Sequence, residues 1–237
     1  MAAANTWRRV LLLGCTHFPY QDEGVLRVVR EFAKDWKPHD TVHLGDLMTV
    51  DQVSTYPNDC DTPLKDEFEQ ASQFLESARV THLAMGNHEE RLMRPGIDRR
   101  LRSILDPVTN LRLEKLGVKW IPYRNDRVFH FGKLSALHGI WFNEYAARTH
   151  ADAYGCCAFV HTHRIQCHQP KTARIANTGF NIGCTCRLDL PYALTRPPTG
   201  WAQGFWFGYF QRNGGFSGYQ VRLIDKRVVI NGKEYSR

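Results

Sequence analysis

Three short apolar runs, separated by two stretches of helical periodicity, constrain the fold of this 237-residue chain more than any other feature. The runs cover residues 10–13, 41–44 and 80–85. Between them, apolar side chains recur at helical intervals, first at Val25, Leu26, Val28, Val29, Phe32 and Trp36, then at Leu64, Phe68, Ala71, Phe74, Leu75 and Ala78. Short continuous apolar runs are typical of strands covered on both faces. The alternation therefore predicts a β-α-β-α-β unit with a parallel sheet and right-handed crossovers.

Each of the three runs leads into a loop that carries polar residues. Cys15 and His17 follow the first run, Asp46 follows the second, and Asn87 and His88 follow the third. Parallel sheets bind ligands in the crevice at the carboxyl ends of their strands. Amide, imidazole and carboxylate groups placed side by side can hold a metal ion and transfer a proton in one pocket. The sequence therefore predicts a functional site at this edge of the sheet.

The middle of the chain adds two more polar loops of the same kind. Further apolar runs predict strands at residues 118–121, 128–131, 134–137 and 156–160. His138 follows the third of these strands, and His161 and His163 follow the fourth. A helix from about residue 144 to residue 154 is expected between them. Five polar blocks thus lie, in sequence order, at predicted strand ends.

The last third of the chain has a different sequence pattern. Short aromatic and β-branched runs at residues 204–210, 218–224 and 228–230 are separated by Asn-Gly turns, which predicts antiparallel strands. The aromatic side chains of these strands are expected in the core. We therefore predict one α/β domain over residues 1–237, in which two mixed sheets pack face to face with helices outside. Residues 8–164 carry the site, and residues 165–237 complete the sheets.

Charge and cysteine content limit the classes of partner. The formal net charge of +7 favours a polyanionic partner such as nucleic acid, although no basic tract is dense enough to decide it. Seven cysteines, an odd number without framework spacing, are typical of reduced thiols. The longest apolar run near the start is too short for a signal peptide or a membrane span. The expected location is the cytoplasm, with no membrane partner.

The five blocks offer more ligands than one metal ion can use. A tetrahedral zinc ion needs about four ligands, whereas two ions about 3.5–4 Å apart need roughly seven or eight with one carboxylate shared. The count therefore favours two metal ions.

The ordered C-x-H, G-D, G-N-H-E, H and H-T-H blocks resemble those of the calcineurin-like metallophosphoesterases, over about residues 8–164. The resemblance implies a four-layer α/β/β/α fold and a dinuclear centre. It implies that Cys15, His17, Asp46 and His163 hold the first metal ion, that Asp46 bridges to the second, and that Asn87, His138 and His161 complete the second. His88, which is not a ligand, would face the phosphorus and stabilise or protonate the leaving oxygen. Residues 137–164 look especially similar to predicted phosphoesterases of bacteriophages, for which the location would be the host cytoplasm.

This sequence departs from the family pattern in the first block, where Cys15 stands in the place of the usual aspartate. A thiolate ligand favours zinc or iron over manganese or magnesium. The alternative is that Cys15 is a small apolar wall and the first metal position is weak. A second departure is Val160, which replaces the usual glycine before the H-T-H block. Residues 47–50 lack the V-D-R-G sequence of the serine/threonine protein phosphatases, which argues against that branch of the family.

Four further interpretations concern single residues or pairs. Arg91, one helical turn beyond His88, would either contact the substrate phosphate or be a solvated helix residue. His43 is expected to be a hydrogen-bonded core residue. Cys156 and Cys157, and the pair in residues 184–186, lack the spacing of a zinc knuckle and are expected to pack as small hydrophobes.

The predicted function is metal-dependent hydrolysis of a phosphate ester by attack of a metal-bridging hydroxide. The protein would be a hydrolase, either a phosphodiesterase or a phosphatase, with two divalent or trivalent ions of zinc, iron or manganese. The substrate is left open between a nucleotide or nucleic acid and a small phosphomonoester. The alternative function is a non-catalytic nucleic-acid-binding protein with structural metals. The sequence does not predict the oligomeric state.

Overall fold

A computed structural model describes residues 7–54, 61–171, 177–190 and 199–236. The strands, in chain order, are β1 (Arg8–Leu13), β2 (Asp40–His43), β3 (His82–Ala84), β4 (Lys119–Ile121), β5 (Phe129–Phe131), β6 (Leu134–Ala136), β7 (Cys157–Phe159), β8 (Ile165–His168), β9 (Gly179–Ile182), β10 (Gly204–Phe210), β11 (Phe216–Arg222), β12 (Arg227–Ile230) and β13 (Lys233–Ser236). The helices are α1 (Glu23–Trp36), α2 (Leu64–Ser77), α3 (Asn87–Met93), α4 (Arg102–Leu105), α5 (Pro107–Asn110), α6 (Leu113–Leu116) and α7 (Ala146–Tyr154), with a 3₁₀ turn at Asp51–Val53. No described helix has the length and apolar character needed to cross a bilayer.

Two mixed sheets form the centre of the fold. The six-stranded sheet has the order β11-β10-β1-β2-β3-β4, and the five-stranded sheet has the order β5-β6-β7-β9-β8. Strands β1, β2, β3 and β4 pair in parallel, as the β-α-β-α-β pattern predicts. In the second sheet β6, β7 and β9 are parallel, so the ends of β6 and β7 also open onto one edge.

The buried side chains form layers between these elements. Leu11 and Leu13 of β1 pack with α1 and α2 on one side of the six-stranded sheet. On its other side, Val10 and Leu12 pack against side chains of the five-stranded sheet. A smaller cluster that includes Phe159 lies between that sheet and α7. The predicted fold class, two packed mixed sheets flanked by helices, is confirmed.

Strand β11 lies two residues earlier than the predicted run at residues 218–224. Its register is set by β10, where Phe210 pairs with Phe216 and Gly204 with Arg222. Leu223 and Ile224 then leave the ladder for the turn into β12. Parts of the predicted completion at 165–237, namely residues 172–176 and 191–198, lie outside the described residues, and the single-domain assignment stays a prediction.

Trp206 of β10 is fully buried between the sheets, and two glycines make room for its ring. Gly208 and Gly218 pair across β10 and β11. A Cβ atom added at either position would overlap the indole of Trp206. The strands therefore keep glycine here in spite of its poor strand propensity, because any side chain would displace the fully buried indole of Trp206.

We expect Gly218→Ala to lower the free energy of unfolding by about 1–3 kcal/mol, the usual cost of overpacking a filled core. Ser217→Ala, at an exposed position of the same strand, should stay within about 0.5 kcal/mol of the parent. Urea unfolding of both variants measures the difference. Equal midpoints for the two variants would contradict this account of the packing.

Candidate metal centre

The five polar blocks meet at one edge because their strands run in the same direction within each sheet. Cys15 and His17 leave β1, Asp46 leaves β2, and Asn87 opens helix α3 after β3. The second sheet brings His138 from the end of β6, and His161 and His163 from the end of β7. All of the predicted ligands therefore lie in the crevice between the two sheets.

The backbone at these positions is unusual. Five of the seven predicted ligands have positive φ angles: Cys15 (49°), His17 (53°), Asp46 (48°), His161 (71°) and His163 (57°). Residues other than glycine reach this left-handed region at a cost of order 1–3 kcal/mol, and such residues cluster at functional sites. All five of these residues lie in the loops that follow β1, β2 and β7.

The first donor group consists of Cys15, His17, Asp46 and His163, whose ligand atoms all lie within 4.8 Å of one another. The Nε2 atoms of His17 and His163 are 3.0 Å apart, and His17 Nε2 is 3.7 Å from Asp46 Oδ2. Two nitrogens that bind one zinc ion at about 2.0–2.1 Å lie roughly 3.4 Å apart in tetrahedral geometry. The two nitrogens are therefore spaced nearly as they would be around one bound cation.

The second donor group consists of Asp46, His138 and His161, again within 4.8 Å. His138 Nε2 lies 3.1 Å from His161 Nδ1, 3.0 Å from Asn87 Oδ1 and 3.3 Å from Asp46 Oδ2. Asp46 thus belongs to both groups, which is the position that a bridging carboxylate requires.

Burial and the carboxylate of Asp46 set the protonation states of the predicted ligands. Burial is the largest cause that lowers the pKa of His161 and of His163 to about 3, so both rings are neutral. Burial opposes ionisation of Asp46, but the histidines around it, His138 first, hold the pKa of this carboxyl well below its usual range. Asp46 in turn raises the pKa of His138 against the effect of burial.

A further observation concerns His17, which is buried with its Nδ1 lacking a hydrogen-bond partner among the described residues. Neutral imidazoles, a carboxylate, an amide oxygen and a sulfur facing one another form a donor set that fits divalent cations.

The thiol of Cys15 is fully buried at the base of the first group. Its Sγ accepts a hydrogen bond from the backbone N–H of His161 at 3.2 Å. Burial, reinforced by the charge of Asp46, raises the pKa of this thiol well above its usual value. A thiolate at this position would therefore need a cation beside it, because a coordinating metal deprotonates a thiol.

His88 lies beside both groups without belonging to either. Its Nδ1 donates to the carbonyl oxygen of Thr49 at 2.6 Å, so Nε2 faces the crevice, 3.9 Å from Asp46 Oδ2. The guanidinium of Arg91 also donates to Thr49 O, at 3.0 Å, and its other nitrogen lies 3.3 Å from His88 Nε2. The side chain of Arg91 is only 12% exposed, so the solvated alternative does not hold for it.

Two buried glutamates fix the loop that carries Asp46. The carboxylate of Glu89 accepts from the backbone N–H groups of Asp46 (3.0 Å), Met48 (2.9 Å) and Gly86 (2.7 Å). Glu67 of α2 accepts from the N–H of Val50 at 3.0 Å. Burial raises the pKa of each glutamate to about 7. Helices α2 and α3 are therefore both tied to the loop.

Sequence reasoning missed the role of Glu89 and the position of Cys184 and Cys186. Glu89 is the last residue of the G-N-H-E block and the third residue of α3, after the N-cap residue Gly86. A glutamate at this position is typical of a capping box, and this pattern could have indicated its bond to the backbone. Cys184 and Cys186 are buried as predicted, but they lie with His163 in a third donor group. His43 is a hydrogen-bonded core residue as predicted, since its Nε2 lies 2.8 Å from the hydroxyl of Thr16.

The calcineurin-like phosphoesterase family matches residues 8–166, which is more than half of the sequence and contains all of the predicted ligands. The chain belongs to this family. No relative is found for it among curated proteins.

Solved structures of similar fold include vacuolar protein sorting 29 from Cryptosporidium parvum, at 16% identity and a TM-score of 0.48, covering 92% of this chain and 98% of that one. They also include Yfce, a phosphoesterase from E. coli, at 12% identity and a TM-score of 0.43, with 90% and 98% coverage. A third is an archaeal phosphodiesterase, at 13% identity and a TM-score of 0.43, with 91% and 99% coverage.

We expect Glu89→Gln to lower the free energy of unfolding by about 1–3 kcal/mol, because the amide NH₂ would face a buried backbone N–H. Metal affinity should fall by about 10- to 100-fold, since the loop that carries Asp46 loses its support. Thermal unfolding and zinc titration measure the two effects. Glu90→Gln, on the adjacent and partly exposed side chain, is the matched control and should change neither.

Proposed function

We propose that this protein is a metal-dependent phosphoesterase that hydrolyses a nucleotide or nucleic-acid phosphodiester. The observation that carries the proposal is the position of Asp46, whose carboxylate is shared by two donor groups while His88 faces it from outside both. Structural metal sites are closed by protein ligands, whereas an arrangement with an imidazole that is not itself a ligand beside the donor groups is typical of catalysis.

The proposed first cation is held by Cys15, His17, Asp46 and His163, and the second by Asp46, Asn87, His138 and His161. When bound, such ions lower the pKa of a water molecule and neutralise charge on the phosphate. The sulfur of Cys15 favours zinc or iron at the first position. The free thiols of the described cysteines agree with a reducing compartment, for which we propose the cytoplasm.

His88 acts on the leaving oxygen in this proposal. The bond from Nδ1 to Thr49 fixes the ring and leaves Nε2 directed at the crevice. Arg91 places its guanidinium 3.3 Å from the same nitrogen, so a cationic group and an imidazole meet at one place. Donors fixed in advance where negative charge develops supply a large part of catalysis. We assign Arg91 to binding of the substrate phosphate. The phosphate would replace His88 Nε2 as the neighbour of the guanidinium.

The surface beside the crevice favours a nucleotide over a small phosphomonoester. Phe142 and Tyr145 are 76% and 68% exposed, and the Phe142 ring lies 6.2 Å from that of His161. Arg164 holds this loop by donating to the carbonyl oxygens of Phe142 and Asn143, at 2.9 and 2.6 Å. Exposed aromatic rings beside a basic site stack nucleobases in proteins that bind single strands. The net charge of +7 supports the same class of substrate.

We expect hydrolysis of bis-p-nitrophenyl phosphate when zinc, manganese or nickel is added, and loss of turnover after treatment with a chelator. Asp46→Asn and His88→Ala should each lower kcat by about 100- to 10,000-fold, because one removes the shared carboxylate and the other removes the group beside the leaving oxygen. His130→Ala, an exposed histidine on β5, is the matched control and should keep full activity.

Absence of turnover with every metal would contradict the proposal, as would unchanged turnover in both variants. Tight, salt-sensitive binding of an oligonucleotide without cleavage would instead support the non-catalytic alternative. A gel shift run beside a nuclease assay separates these outcomes, and p-nitrophenyl phosphate tests for monoesterase activity.

Phe142→Ala should weaken binding of a single-stranded oligonucleotide by about 5- to 100-fold, since stacking contributes about 1–3 kcal/mol per base. Hydrolysis of bis-p-nitrophenyl phosphate should change much less. Fluorescence anisotropy at fixed salt measures the affinity. Tyr219→Ala, a half-exposed aromatic residue on β11, is the control, and equal loss in both variants would argue against stacking at Phe142.

A further inference from the structure

Two further thiols lie beside the ring of His163. Cys184 and Cys186 are completely buried, and their sulfurs lie with a His163 nitrogen within 4.8 Å of one another. The Sγ of Cys186 is 4.0 Å from His163 Nδ1, whereas Nε2 of the same ring faces His17 at 3.0 Å. His163 therefore stands between two sets of donors.

The backbone holds both sulfurs in place. Cys184 N donates to Ala202 O and Cys186 N donates to Cys15 O, each at 3.1 Å. Thr185 lies at a bend between the two cysteines, and its hydroxyl bonds that of Thr16 at 2.7 Å. The sulfurs of both cysteines nevertheless lie with a nitrogen of His163 within 4.8 Å of one another, so both side chains are directed towards that ring.

Packing alone does not account for this arrangement. Each sulfur has a polar neighbour: Cys184 Sγ lies 3.6 Å from the carbonyl oxygen of Ala202, and Cys186 Sγ faces the polar edge of the 97%-buried imidazole of His163. Two cysteines and one histidine form a common donor set for zinc, with a fourth position for another ligand. Cys184 and Cys186 also lie beyond residues 8–166, so the family match does not include them.

We propose that Cys184, Cys186 and Nδ1 of His163 form a separate, sulfur-rich site for a soft divalent cation such as Zn²⁺. Binding releases the two thiol protons and forms two metal–sulfur bonds and one metal–nitrogen bond. A neutral imidazole has one lone pair, so a cation on Nδ1 leaves the proton on Nε2. His163 then no longer serves the first donor group, and the two positions compete for one ring.

A cadmium titration of the full chain tests the site, because cadmium bound to thiolate gives an ultraviolet charge-transfer band. Cys15→Ser protein serves as the parent, since it removes the one thiol of the first donor group. We expect about one equivalent of cadmium to produce the band in this protein. The band should disappear when Cys184→Ser and Cys186→Ser are added. Cys157→Ser, a buried cysteine on β7, is the matched control and should keep it.

Two outcomes would overturn the proposal: absence of the band in Cys15→Ser protein, or its survival after both further substitutions. The first outcome needs no folding of the double-cysteine variant, and circular dichroism checks the second. The band should be unchanged in His88→Ala protein, because this site does not depend on phosphoester hydrolysis. Failure of the cadmium site and failure of the proposed function are thus separate results.

Discussion

The buried carboxylate of Asp46 is the point on which the rest of the site depends. Its Oδ2 lies 3.3–3.9 Å from imidazole nitrogens of His138, His17 and His88, and its Oδ1 accepts from the backbone N–H of His88 at 3.0 Å. A buried ionised carboxylate is costly unless it is paired, and here the surrounding histidines and the backbone N–H of His88 provide the pairing. Loops that are far apart in the sequence are held together by this one group.

The meeting of these loops at one edge could be predicted from the sequence, because it follows from the direction of the strands. Parallel strands force their carboxyl ends to one edge, so polar residues after Leu13, His43 and Ala84 had to become neighbours once the strands were recognised. The same argument placed His138 and His161 at the second sheet. The roles of single ligands came from family resemblance, and the geometry agrees with them without testing them.

Other features depended on contacts that no local pattern contains. The position of Cys184 opposite His163 follows from the return of the chain beside β1, which periodicity cannot show. The burial of Arg91 depends on the carbonyl of Thr49, 42 residues away in the chain. The shift of β11 by two residues was decided by its pairing with β10, where the bulk of Trp206 allows glycine alone at two positions.

The two glutamates on either side of the Asp46 loop have a consequence for how the site depends on the rest of the fold. Val50, a β-branched residue, has a φ angle of 53°, which an isolated peptide would rarely adopt. It is kept there by a carboxylate from α2, while α3 supplies the carboxylate that binds Asp46 and Met48. In the native structure the shape of this loop depends on contacts from both helices. The geometry of the cation-binding crevice is therefore coupled to the packing of α2 and α3, and a substitution that loosens either helix would also disturb the loop that carries Asp46.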